Sequence, residues 1–80
     1  MHARAYVLIE AEAGQVGSVI AALRGLQGVR TADVITGPYD LIAKVMVPTY
    51  DALGEAIPDK VHKMQGIRET ETLIVFNVFK

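Results

Sequence analysis

Apolar and polar residues follow six successive patterns along the chain. Ala5–Glu10 is a short β-branched and apolar run, which predicts a strand. Val16, Val19, Ile20, Leu23 and Leu26 fall on one helical face. Gly28 is expected to end that helix, as a C-terminal glycine commonly does. Val29–Thr36 reads as a second strand and Leu41–Val47 as a third, joined through Gly37-Pro38-Tyr39-Asp40. Pro48 stops the third strand, and Thr49 is placed to cap the next helix. Leu53, Ile57, Val61 and Met64 mark the apolar face of that helix. Pro58 should kink it or split it near Ile57, and Gly66 should end it. Ile67–Phe79 reads as a long last strand.

The chain also repeats itself. Leu26-Gln27-Gly28-Val29-Arg30 reappears as Met64-Gln65-Gly66-Ile67-Arg68, an offset of 38 residues. The same offset sets Ala5 on Ala43, Val7 on Val45, Leu8 on Met46, Val19 on Ile57 and Leu23 on Val61. Two copies are too few for a solenoid. They suit one pseudo-two-fold domain over residues 1–80 whose halves are each strand–helix–strand. The order βαββαβ is the ferredoxin-like plan of an α+β domain, a four-stranded antiparallel sheet with two helices on one face.

That plan raises a question about the uncovered face. A half-covered sheet should alternate apolar with polar residues. Here Val7 and Ile9 oppose Tyr6 and Leu8, while Leu73, Val75 and Phe79 oppose Ile74, Phe76 and Val78. Both faces therefore read as apolar, with no spare element to cover the second. A second copy of the sheet is the expected cover, giving a homo-oligomer. Composition agrees: 51% of the residues are hydrophobic and only 21% are charged. A chain this short buries only about 60–65% of its unfolded surface, so its own core is modest.

Charge and chemistry remove most other classes. The net charge is −1, with scattered Lys and Arg, so no footprint for nucleic acid or an anionic membrane is expected. There is no cysteine, which excludes disulfides, thiolate chemistry and Cys-based metal sites. No stretch reaches transmembrane length or forms a signal peptide, and a cytoplasmic location is expected. His2 and His62, the two histidines, lack the spacing of a helical metal site and read as solvated. Gly14 and Gly17 open the first helix without a dinucleotide or P-loop motif, so no cofactor is expected. Ser18, the lone serine, has no His–acid partners in view. Glu69 and Glu71 share a strand face, where carboxylates are usually just solvated. The third strand holds no aromatic, which disfavours the RNA-reading version of this fold.

Two features remain. Gly37-Pro38-Tyr39-Asp40 belongs in a hairpin for backbone reasons, yet turn chemistry does not require Tyr39. Thr70-Glu71-Thr72 enters the last strand, where threonine is at home. Gly37-Pro38-Tyr39-Asp40-Leu41 before an apolar strand, and Met64 to Thr72 leading into another, together resemble the effector-binding (RAM) domain of the leucine-responsive regulatory protein/AsnC family. The resemblance covers essentially the whole chain. It implies a regulatory module rather than an enzyme, dimers that associate further, and an amino-acid effector bound near the turn at a subunit interface. It carries ligand-binding roles to Gly37, Tyr39, Asp40, Thr70 and Thr72. Of these, Asp40 is the expected anion for the ligand's ammonium. The family's usual N-terminal helix-turn-helix domain does not precede the first strand. A stand-alone form is therefore implied, without direct DNA binding and with full-length family members as possible partners.

Two rivals share the fold. A dimeric α/β-barrel enzyme, monooxygenase- or isomerase-like, needs a polar group in a cavity between sheet and helices, and Asn77 is the one asparagine available. A regulatory domain of the ACT type fits less well, since that family usually binds at the loop before its first helix.

Overall fold

The computed structural model describes residues 3–76, apart from the side chains of residues 56–58. Its elements are β1 (Ala3–Ala11), α1 (Val16–Arg24), β2 (Val29–Val34), β3 (Leu41–Val47), α2 (Tyr50–Ala56) with a π-helical continuation over Ile57–Val61, and β4 (Ile67–Ile74). The strands form one antiparallel sheet in the order β2-β3-β1-β4. This is the expected βαββαβ, ferredoxin-like arrangement.

Strand alternation builds the core. Ala3, Ala5, Val7, Ile9 and Ala11 of β1 are buried, as are Leu41, Ala43, Val45 and Val47 of β3. Ala5 pairs with Val45 and Val7 with Ala43, so small and branched side chains face each other across the two central strands. Val19 and Leu23 of α1, Leu53 of α2 and Val61 close over this face. The pseudo-two-fold shows in the register: Tyr6 pairs with Lys44, its counterpart one repeat later. Gly28 and Gly66, also counterparts, both adopt positive φ, +97° and +93°.

Some boundaries differ from the sequence expectation. Helix α1 ends at Arg24, not at Gly28. Its last turn tightens, with Gly25 N–H donating to Ala22 O and Leu26 N–H to Leu23 O. Leu26 thus stays against the core outside the helix, and Gly28 supplies the left-handed turn into β2. Gly17 lies inside α1 and Gly14 in the loop before it. β2 ends at Val34, short of Thr36, although Ile35 N–H still donates to Asp40 O across the hairpin. Thr49 caps α2 as expected, its Oγ1 accepting from Ala52 N–H at 3.1 Å. The α-helix yields to the wider π turn after Ala56, next to Pro58. β4 pairs through Ile74, and Val75 N–H still donates to Arg4 O. The expectations placed on His2, Asn77, Val78, Phe79 and the Ile57 side chain lie outside the described residues.

The expectation of two apolar faces needs correction. Register puts Arg4, Tyr6, Leu8 and Glu10 of β1 on the open face with Met46, Lys44 and Ile42 of β3. Thr31 and Asp33 of β2 join them, as do Leu73, Glu71 and Glu69 of β4. The centre is apolar, but acids sit at one end and Arg4 and Lys44 lie towards the other.

Candidate functional site

The hairpin between β2 and β3 is held from three directions. Asp40 N–H donates to Ile9 O at 2.9 Å, and Asp40 O accepts from Ile35 N–H. Its carboxylate Oδ2 accepts from Ala11 N–H at 2.9 Å. A free Ala11 N–H is available there because β1 and β4 lose register between Glu10 and Ala11, with Arg68 bulged between Ile67 and Glu69. The Asp40 side chain therefore clamps the end of β1 to the hairpin. Gly37 lies in the turn at φ +138°, a conformation that favours glycine.

Tyr39 acts at longer range. Its hydroxyl crosses β1 and donates to Glu71 Oε1 on β4 at 3.0 Å. The phenol pKa rises above its ordinary value, first because the neutral O–H donates a hydrogen bond to Glu71, then through burial and the negative charges of Glu71, Glu69 and Glu10. A phenol held neutral in this way favours the folded state below its unfolded pKa, near 10, and that contribution fades as pH rises through the higher folded value. We expect ultraviolet titration to show the Tyr39 phenol ionising above the ordinary tyrosine range, with Glu71→Gln bringing it back towards the ordinary value.

Thr70 and Thr72 lie on the other face. Thr70 pairs with Ile9 and Thr72 with Val7, both core residues, so their side chains are on the helix side of β4. Thr70 Oγ1 is hydrogen-bonded to His62 Nε2 at 3.0 Å. The five residues thus form two groups: Gly37, Tyr39 and Asp40 at the hairpin, and Thr70 and Thr72 around the edge of β4. Sequence reasoning did not find the hairpin's partners. Glu71 bonds Tyr39, and Glu10 pairs with Arg68 at 3.6 Å. Strand parity in β4, with Glu69, Glu71 and Leu73 on one face, was the available signal.

Among the described residues no group of three or more His, Cys, Asp or Glu side chains is placed to hold a metal ion. No described helix is long and apolar enough to cross a membrane.

Residues 4–80 match the family model described as the Lrp/AsnC ligand binding domain. The chain belongs to the Lrp/AsnC family. An uncharacterised helix-turn-helix-type transcriptional regulator of Pyrococcus abyssi is 36% identical over 76 residues, 95% of this chain and 48% of its own length. A solved Thermus thermophilus protein superposes with TM-score 0.89 at 29% identity, covering 98% of both chains. Escherichia coli AsnC superposes with TM-score 0.85 at 32% identity, covering 98% of this chain and 54% of its own. The chain spans about half the length of the curated relatives it matches. These relatives are named transcriptional regulators, which sets the α/β-barrel enzyme aside.

Proposed function

We propose that this Lrp/AsnC domain senses an α-amino acid for a cytoplasmic transcriptional regulator, as an oligomer whose subunits pair through the open face of the sheet. The observation that carries the reading is the Tyr39–Glu71 bond, which ties the hairpin to β4 and gathers Glu10, Glu69 and Glu71 at one end of that face. An amino-acid ammonium needs carboxylates, and its own carboxylate needs donors. The Tyr39 hydroxyl, the Arg68 guanidinium and the hydroxyls of Thr70 and Thr72 are donors near β4.

Because Tyr39 and Thr70 lie on opposite faces of the sheet, one ligand reaches both most simply where one sheet-paired dimer meets the next, outside the open-face pairing. One subunit then presents Gly37, Tyr39 and Asp40, and the next presents Thr70 and Thr72. Asp40 serves that site by fixing the hairpin. A Neisseria meningitidis transcriptional regulator with the same fold, at only 16% identity, was solved in complex with L-Met, which supports an amino acid as the ligand class. With net charge −1 the domain itself does not bind DNA sequence-specifically; the regulator's output comes from association, with itself or with full-length relatives.

A thermal-shift panel of free amino acids tests the reading. A ligand at a hundred times its Kd stabilises the native state by about 2.7 kcal/mol. For a domain of this size that is roughly 10–20 °C in melting temperature. We expect one or a few amino acids to raise the melting point at millimolar concentration, and Tyr39→Phe with Glu71→Gln to weaken the shift. A panel in which no amino acid moves the transition would defeat the proposed ligand class.

A further inference from the structure

We infer that the outer edge of β2 is a strand-pairing surface for the β2 of a second copy, and that Arg24 holds this edge closed. The inference concerns an edge of the sheet and is independent of what covers its faces.

β2 is an outermost strand of the sheet. Ile35 N–H donates towards β3, to Asp40 O, and Thr31, Ala32, Asp33 and Val34 pair with β3 in unbroken register. Backbone groups alternate sides along an antiparallel strand, so those of Asp33 face β3 while those of Ala32 and Val34 face outward. An outward row of N–H and C=O groups is a template for pairing with another chain. Val29, Thr31 and Val34 are β-branched, and Val34 is 59% exposed, so the edge also has the side chains of a strand that accepts a neighbour.

Arg24, the last residue of α1, stands at this edge. Its Nε and Nη2 both donate to Ala32 O, at 3.2 and 2.9 Å. A cavity of about 380 Å³ beside the strand is lined by Arg24, Val29, Arg30, Thr31, Ala32 and Asp33, so the guanidinium borders the space that an added strand would enter. The repeat shows that this placement belongs to the fold. Advanced by 38 residues, Arg24 and Ala32 become His62 and Thr70, and His62 Nε2 is hydrogen-bonded to Thr70 Oγ1 at 3.0 Å. The same repeat position thus reaches the outer strand in both halves. On β4 the contact joins two side chains; on β2 it takes a backbone carbonyl, the group a neighbouring strand would need. A cation suits the end of a helix in any case, but the helix dipole does not require both nitrogens on one strand carbonyl.

The register of a second β2 follows from charge. Antiparallel pairing centred on Asp33 would set acid opposite acid, which is destabilising. Centred on Ala32, the two Ala32 residues exchange N–H to O bonds, and Thr31 stands opposite the second copy's Asp33. That arrangement uses the oxygen that Arg24 occupies.

Sedimentation velocity across a concentration series of the full chain tests this, each variant being compared with the wild type's own size, whether monomeric or sheet-paired. Arg24→Met keeps an extended side chain and removes the donors. It should self-associate about tenfold or more tightly than wild type, because two Ala32 bonds form per contact and each net hydrogen bond contributes a factor of roughly two to ten. Adding Val34→Pro should restore the wild-type size, since proline removes an outward N–H and leaves the pairing with β3 in place. Arg24→Ala, with the best helix former, takes the place of Arg24→Met if that variant fails to fold by circular dichroism. Arg24 variants that lose thermal stability yet sediment like wild type would overturn the inference and leave Arg24 a structural tie between α1 and β2. Association that Val34→Pro does not reverse would overturn it too, by placing the new contact away from this edge.

Discussion

Asp40→Ala should unfold at a markedly lower temperature than the wild-type domain, before any ligand is considered. The Asp40 carboxylate accepts the Ala11 N–H at 2.9 Å in a half-buried position. Ala11 is itself 8% exposed, so water replaces that bond poorly. Removing a charged acceptor costs about 1.5–3 kcal/mol, most of it the desolvation of the buried donor left without a partner. A loss of about 2–3 kcal/mol corresponds to roughly 10–20 °C for a domain of this length. Asp40→Asn supplies the control, because an amide oxygen can still accept from Ala11 while the charge is gone. We expect this amide variant to recover much of the melting temperature, measured by circular dichroism. An alanine variant that melts with the wild type would mean the clamp contributes nothing. The amide variant also separates two roles for Asp40. If it is stable and still binds the amino acid, Asp40 orients the hairpin; if it is stable but does not bind, the carboxylate meets the ligand.

The general plan of the fold was legible because strand and helix periods are strong and the chain states them twice. What escaped was set by contacts between residues distant in sequence. The apolar spacing of Leu26 carries the predicted helix through to Gly28, yet Leu26 reaches the core from a tight turn after Gly25. Periodicity reports which way a side chain points, not which hydrogen bond the backbone makes. β1 and β4 taken alone make the open face look apolar; Lys44, Thr31 and Asp33 enter it only through the pairing of β2 and β3 with the centre of the sheet. The site divides in the same way. The hairpin was visible as Gly37-Pro38-Tyr39-Asp40, since turns have local chemistry. The partners of Tyr39 and Asp40, Glu71 and Ala11, are 32 and 29 residues away and leave no local trace. The split of Thr70 and Thr72 from Tyr39 rests on the β1–β4 register, which the bulge at Arg68 shifts by one residue.

The repeat offers its own controlled experiment in Gly28 and Gly66, which occupy equivalent places and have nearly the same φ, +97° and +93°. Alanine at either position adopts a backbone conformation that costs of order 1–3 kcal/mol for a residue with a Cβ. That term should be nearly common to the two, so the difference between the variants isolates packing. At Gly28 a Cβ would meet Val47 Cγ1 at 3.4 Å, close to ordinary contact. At Gly66 it would meet Gln15 Cβ and Val19 Cγ2, both at 3.1 Å. Gln15 Cβ is fixed to the backbone at the start of α1, and Val19 is fully buried, so neither can withdraw without shifting the helix. Overpacking a well-filled core costs about 1–3 kcal/mol beyond the backbone term. Gly66→Ala should therefore be the more damaging change by at least about 1 kcal/mol, roughly 4–8 °C in melting temperature. Gly37→Ala, at φ +138° with no heavy atom within 4 Å of the added carbon, carries the backbone term without the clash and completes the series. Chemical denaturation of the three variants should rank Gly66→Ala as the least stable. Adding Val19→Ala to Gly66→Ala should cost less than the sum of the two changes, since the truncated side chain makes room for the new methyl. Strict additivity in that pair would show that backbone strain and the Gln15 contact, and not Val19, make glycine necessary where the chain enters β4.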